Sequence, residues 1–145
     1  MSHQAVGKVL ELFVSIKGEE GRAGKDMISL DEPGVIGDKF YNKDLARSIL
    51  ISSQESYLLA QEHKIELPYG ALGENIMIDY NLYHLKAGDR IAIGEALLEI
   101  TQNCTLCKGL SKADDRLPDL LKEYRGIFAK TISPATIKKG DTVRI

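Results

Sequence analysis

The sequence has few cysteines, no long apolar run and no strong excess of either charge. Two cysteines among 145 residues are too few for a disulfide scaffold. The formal net charge of −2 does not mark the chain for nucleic acid or an anionic membrane. No apolar run approaches the roughly 20 residues of a membrane span, and the polar start MSHQAVGK does not resemble a signal peptide. These absences predict a soluble, cytoplasmic protein with no nucleic-acid or membrane partner.

The length and the hydrophobic alternation predict a single domain, residues 1–145, that is mainly β. A chain of this size can bury a core of its own. Apolar and polar residues alternate with the period of half-buried strands in eight segments: 6–16, 27–30, 47–52, 76–78, 90–93, 96–101, 126–132 and 141–145.

Two short helices are predicted between the strands. Ser52-Ser53-Gln54-Glu55 has the pattern of a capping box with Ser52 as the cap, and its helix should run to about Lys64. Its candidate buried residues are Tyr57, Leu58 and Leu59. The second helix, 115–124, has leucines at helical spacing, Pro118 in its first turn and Gly126 as its stop.

Three segments are predicted as loops. The charged, glycine-punctuated segment 18–25 should keep its charges in solvent. Segment 34–38, Gly-Val-Ile-Gly-Asp, lacks the Gly-Lys-Ser/Thr end of a P-loop, which excludes phosphate binding of that type. Segment 38–46 lacks periodicity and is predicted to be a mobile loop that can close over a site.

An internal echo points to a barrel. Residues 85–93 (LKAGDRIAI) match residues 137–145 (IKKGDTVRI), and each copy is a Gly-Asp turn that leads into an alternating strand. Gly94-Glu95 suits a two-residue hairpin between strands 90–93 and 96–101. Many short strands with repeated turns and only two helices favour an antiparallel β-barrel with helical insertions.

Both cysteines follow the strand in GEALLEITQNCTLCKGL, residues 94–110. Cys104 and Cys107 can be small core hydrophobes or reactive thiols at the rim of a barrel. As C-x-x-C they can also form a redox disulfide or half of a zinc site. A zinc site would need two more ligands, and the three histidines, His3, His63 and His84, have no ligand spacing.

The ordered set of motifs resembles the MOSC domain, named for the C-terminal domain of molybdenum cofactor sulfurase. The resemblance covers almost the whole chain and is greatest to short stand-alone bacterial members. It rests on 34–38 (GVIGD), Arg47 before a strand, 73–76 (GENI), 88–89 (GD), 93–102 (IGEALLEITQ), the cysteine, 125–129 (RGIFA) and 137–141 (IKKGD).

The resemblance implies an antiparallel β-barrel and a role in molybdenum cofactor metabolism. The family's signature cysteine stands five residues after the glutamine that ends the strand, which from Gln102 is Cys107. Its thiolate would carry sulfur as a persulfide or ligate the molybdenum of bound molybdopterin. The implied activity is that of a sulfurtransferase or a molybdenum-cofactor-dependent enzyme, with cofactor-biosynthesis or sulfur-donor proteins as partners.

Five further residues are candidates for the cofactor pocket. The guanidinium groups of Arg47 and Arg125 suit the phosphate of a pterin cofactor. Asn75 and Gln102 have amides that can hydrogen-bond pterin ring edges. Asp38 can serve the pocket by holding the loop or an arginine. These residues are expected to converge with Cys107 on one rim of the barrel.

Three function classes stay open from the sequence. The first is a molybdenum-cofactor-associated sulfur carrier or enzyme that uses Cys107. The second is a non-catalytic module that binds cofactor or a partner protein. The third is a thiol–disulfide redox protein that uses Cys104 and Cys107 as a pair.

Overall fold

The computed structural model of the chain describes residues 4–18, 22–104 and 114–145. Eleven strands lie in these ranges. Their bounds are β1 Ala5–Val14, β2 Ala23–Lys25, β3 Met27–Asp31, β4 Gly34–Val35, β5 Ile49–Ser53, β6 Ile76–Ile78, β7 Arg90–Ile93, β8 Ala96–Asn103, β9 Ile127–Ser133, β10 Ala135–Lys138 and β11 Thr142–Arg144.

Seven strands close into a barrel in the order β1-β11-β7-β8-β9-β5-β6, with β6 returning to β1. Every pairing in this ring is antiparallel except that of β5 with β6. Closure leaves no exposed edge within the ring. The prediction of a mainly β, mostly antiparallel barrel is therefore confirmed.

The barrel interior is filled by one face of each alternating strand. Ile49 and Ile51 of β5, Ile76 and Ile78 of β6, and Ile127 of β9 all belong to this core. Branched side chains pack well on a pleated surface. The residues between them on the same strands therefore point outward, and some of them form the candidate site.

A second, three-stranded sheet of β10, β3 and β4 packs against the barrel core. The sequence pattern indicated only β3 of this sheet. Strands β4 and β10, like β2 beside β1, were not predicted from the sequence, and each has only two to four residues. Their positions are set by pairing rather than by pattern.

The two Gly-Asp corners have the same geometry, as the internal echo predicted. Asp89 Oδ2 accepts a hydrogen bond of 2.8 Å from Lys86 N, and Asp141 Oδ2 accepts one of 2.8 Å from Lys138 N. Each carboxylate closes the turn that starts β7 or β11. The turn between β7 and β8 is the predicted two-residue hairpin, with Ile93 paired to Ala96.

Helix α1, Gln54–Glu62, packs on the outside of the barrel through Tyr57 and Ala60, in a cluster with Met77 of β6. Its cap is Ser53, whose hydroxyl accepts from Glu55 N, and not Ser52 as predicted. Leu58 is exposed, so the predicted stripe was wrong there.

Helix α2 is only Leu117–Leu120, shorter than the predicted 115–124. The chain leaves helical geometry at Leu121, but the buried Leu117 and Leu121 still pack against the α1 cluster. Among the described residues, no helix has the length and apolarity to cross a bilayer.

Candidate functional site

The outer face of β5 and β9 carries a small apolar cluster apart from the barrel core. Leu50 lies between the inward-facing Ile49 and Ile51, and Phe128 lies between Ile127 and Ala129, so both point outward. Leu50 and Phe128 are register partners, and Cys104, just after β8, packs with them. This cluster, the outer floor, consists of Leu50, Cys104 and Phe128.

Asn75 ties three segments together at one side of the outer floor. Its Oδ1 accepts from Leu50 N at 3.2 Å, and its Nδ2 donates to Phe13 O and to Asp38 Oδ1, both at 3.3 Å. Both ends of the buried amide are therefore used within the protein. The contacts make Asn75 a positioning residue for β1, β5 and Asp38.

Asp38 anchors the loop that follows it. Its Oδ1 accepts from Ser15 N at 2.7 Å and its Oδ2 accepts from Phe40 N at 3.0 Å. Further along, Lys39 N donates to Ser15 O and Asn42 N donates to Pro33 O. Segment 38–46 is thus a series of turns that is hydrogen-bonded to the rest of the domain at Ser15 and Pro33. That this segment can close over a site stays a prediction.

Glu74 is fully buried between α1 and the barrel. Its Oε2 accepts hydrogen bonds from the hydroxyl groups of Ser52 and Tyr57. Its Oε1 is buried and has no hydrogen-bond partner in the part of the chain described. Burial raises the pKa of Glu74, because desolvation outweighs the two hydroxyl donors and the nearby Arg22 cation. Burial also raises the pKa of Tyr57, with the Glu74 carboxylate adding to the effect.

The raised pKa of Glu74 predicts a pH-dependent stability difference between the wild type and Glu74→Gln. A carboxyl that holds its proton more tightly in the folded state contributes stability in full below its unfolded pKa, about 4.3. That contribution is lost as the pH rises through the folded pKa. Urea unfolding from pH 4 to 8 should therefore show the glutamine variant gaining on the wild type as the pH rises. A constant difference across this range would contradict the raised pKa.

The guanidinium group of Arg22 lies beside Glu74 and Asp38. Its Nη1 donates to Glu74 O at 3.2 Å and lies 3.7 Å from Asp38 Oδ1. Only 12% of the side chain is exposed, and desolvation lowers its pKa. The expectation that the charges of 18–25 lie in solvent was wrong for this residue. Neighbouring residues in the sequence carry no signal for its burial, since its partners are Asp38 and Glu74.

A second arginine lies beside Phe128 of the outer floor. The guanidinium carbon of Arg47 lies 5.0 Å from the ring centroid of Phe128, a cation–π arrangement. The short 3-10 turn Leu45–Arg47 that carries it is capped by Asp44. Gln102, which is exposed, is the register partner of Phe128 on β8. Arg47 and Gln102 therefore both border the outer floor.

The structure describes five of the six predicted site residues, and these five fall into three groups. Asp38 and Asn75 meet directly, and Arg47 and Gln102 meet around Phe128. Arg125 donates to Pro118 O and so contacts helix α2. Cys107 lies outside the described residues. The sequence interpretation assigned no role in the site to Arg22, Glu74, Ser52 or Phe128, although Glu74 and Phe128 stood inside quoted motifs.

The fold defines this chain as a small closed β-barrel with a polar and apolar site on its outer face. The MOSC domain family model matches residues 23–144, so the chain belongs to the MOSC family. MOSC domains are associated with molybdenum cofactor binding or sulfurase activity.

Solved structures of bacterial proteins have the same fold. The YuaD protein from Bacillus subtilis superposes with a TM-score of 0.84 at 19% identity, over 99% of this chain and 97% of that one. YiiM from Escherichia coli gives 0.69 at 21% identity, over 94% and 68%. YiiM from Geobacillus stearothermophilus gives 0.67 at 16% identity, over 99% and 75%. No curated protein matches the chain.

Proposed function

We propose that this protein is a molybdenum-cofactor-associated sulfur carrier or molybdopterin-binding protein, with Cys107 as the thiol that accepts sulfur or ligates molybdenum. The observation that carries the proposal is the MOSC match over residues 23–144, joined to a site beside the end of β8. Cys104, a member of the outer floor, follows that strand, and two residues of the sequence lie between it and Cys107.

The described side chains fit a planar ligand that bears a phosphate. The outer floor supplies apolar support, and the guanidinium groups of Arg22 and Arg47 lie on two sides of it. Arg47 and Gln102 would face the ligand, whereas Asp38 and Asn75 would position the backbone and Arg22 beneath it. Arg125 would contact the ligand from the side of helix α2. When bound, the molybdenum cofactor would supply a metal centre that a soft thiolate can ligate.

Sulfur loading needs a donor persulfide, the class of partner that we propose. The Cys107 thiolate would attack the terminal sulfur of the donor persulfide, forming a new S–S bond as the donor's S–S bond breaks. The electron pair of the broken bond leaves with the donor as a thiolate. Cys107 then carries the transferred sulfur as a persulfide, and no external oxidant is consumed.

The two cysteines should respond differently to serine substitution. Cys107→Ser is expected to abolish cyanide-releasable sulfur and molybdenum retention in protein purified from its own host. Cys104 is 3% exposed within the outer floor. Cys104→Ser should therefore keep the loading but lower the free energy of unfolding by about 1–2 kcal/mol, because it places a hydroxyl in an apolar site.

Metal, pterin and sulfane-sulfur analysis of these two variants separates the function classes. Molybdopterin binding that survives Cys107→Ser would favour a non-catalytic binding module. Iodoacetamide labelling from pH 6 to 9 should modify Cys107 faster than the buried Cys104, and the reverse order would overturn the assignment. Equal loss of both thiols under mild oxidation would instead support a redox pair.

A further inference from the structure

Arg22 is held in place by only part of its hydrogen-bonding capacity within the described residues. Its Nη1 makes the hydrogen bond to Glu74 O, while Nε and Nη2 make none within the described ranges. Neither of these nitrogens is a buried group without a partner, so solvent reaches them. The residue therefore has a fixed inner edge and an accessible outer edge.

Neither neighbouring carboxylate forms a close ion pair with the Arg22 guanidinium. Arginine–carboxylate pairs are frequently bidentate, with N···O distances of about 2.7–2.9 Å, but Arg22 approaches Asp38 through one nitrogen at 3.7 Å. Asp38 already accepts hydrogen bonds from Ser15 N, Phe40 N and Asn75 Nδ2. The carboxylate of Glu74 accepts from two hydroxyl groups, and its pKa is raised. The positive charge of Arg22 is thus only partly offset.

The absence of a side chain at Gly73 leaves space beside the outer edge. A Cβ built at this glycine would lie 3.9 Å from Arg22 Nη2 and 4.0 Å from Leu50 Cδ2, in ordinary contact with both. The space that a methyl group would occupy is therefore bordered by a guanidinium nitrogen and by the outer floor. An oxygen of a ligand can enter there and accept from Nη2, while an apolar part of that ligand contacts the Leu50 methyl group that borders the same space.

We propose that Arg22 binds the phosphate monoester of an organic ligand that enters over Gly73. Asp38 and the Glu74 carbonyl hold the guanidinium in position for this contact. The phosphate oxygens accept from Nη2 and Nε, an arrangement that the planar fork of arginine provides and lysine does not. This assignment rests on the proposed function only for the location of the ligand. Arg22 is a binding residue of that site, distinct from the thiol that performs the chemistry.

Isothermal titration calorimetry of the full chain tests the assignment with inorganic phosphate and phenyl phosphate, at constant ionic strength set with chloride. The wild type should bind both saturably, and phenyl phosphate more tightly because its ring adds an apolar contact with Leu50. Arg22→Lys should weaken both affinities at least tenfold. Arg90→Lys, which changes an exposed arginine paired with Glu99 on β8, should leave them unchanged.

Three results would overturn the assignment. They are no saturable phosphate binding by the wild type, unchanged binding by Arg22→Lys, and equal affinity for the two ligands, which would remove the organic part. Should Arg22→Lys fail to fold, the Nε–H resonance of Arg22 in the wild type should still shift on phosphate titration, and a shift confined to Arg47 would count against Arg22. The measurement uses neither molybdenum nor Cys107, so phosphate binding and sulfur loading can fail independently.

Discussion

Asn75→Asp is expected to lower the free energy of unfolding by about 3–5 kcal/mol at pH 7, the cost of a buried charge without a compensating partner. The substitution keeps the oxygen that accepts from Leu50 N. It replaces the amide nitrogen, which donates to Phe13 O and Asp38 Oδ1, with an acceptor that faces two other acceptors. Two carboxylates would then lie about 3.3 Å apart in a buried site.

Urea unfolding of the variant at several pH values checks this expectation. One carboxyl of the new pair should have a raised pKa, so the variant should recover stability as the pH falls toward 4, when a proton bridges the pair. Asn75→Ala lacks this recovery. Asn42→Asp, an exposed asparagine on segment 38–46, should change stability by no more than about 0.5 kcal/mol. A pH-independent loss in Asn75→Asp would show that the Asp38 contact is not the cause.

Gly126→Ala is the second substitution with a large expected effect, about 3 kcal/mol or more. Gly126 has a φ of +103°, a conformation that a side chain disfavours. A Cβ there would lie 2.8 Å from the backbone oxygen of Ile51 on the paired strand β5. Since that oxygen belongs to the backbone of the barrel, relief requires β5 and β9 to move apart.

Gly140→Ala separates the two causes. Gly140 has a φ of +89° but nothing within 4 Å of an added Cβ, so its loss should be the conformational cost alone, about 1–2 kcal/mol. Chemical denaturation of both variants gives the comparison. Equal losses would mean that the close approach to Ile51 contributes nothing, and that β5 and β9 tolerate separation at this end.

The candidate site could be predicted from the sequence only in part. Asp38, Arg47, Asn75 and Gln102 stand next to strands in motifs, and that motif order made them candidates for the site. The sequence did not show which of these residues would contact a ligand and which would position other groups. The positioning role of Asn75 depends on contacts to Leu50, Phe13 and Asp38, which are 25, 62 and 37 residues away. The motifs indicate candidate site residues but do not distinguish ligand-binding residues from positioning residues.

Local pattern alone was enough for the longer strands, the two-residue hairpin at Gly94-Glu95 and the repeated Gly-Asp corners. These features depend on neighbours a few residues apart, and alternation or turn chemistry records them directly.

Closure of the barrel by β1 and β11, the parallel pairing of β5 with β6, and the burial of Arg22 depended on the tertiary structure. Arg22 lies in a charged, glycine-rich segment whose composition predicts exposure. Its burial became favourable only because folding brings Glu74 O and Asp38 to one guanidinium. A charged side chain leaves water when partners replace its hydration, and those partners come from segments that only the closed barrel brings together.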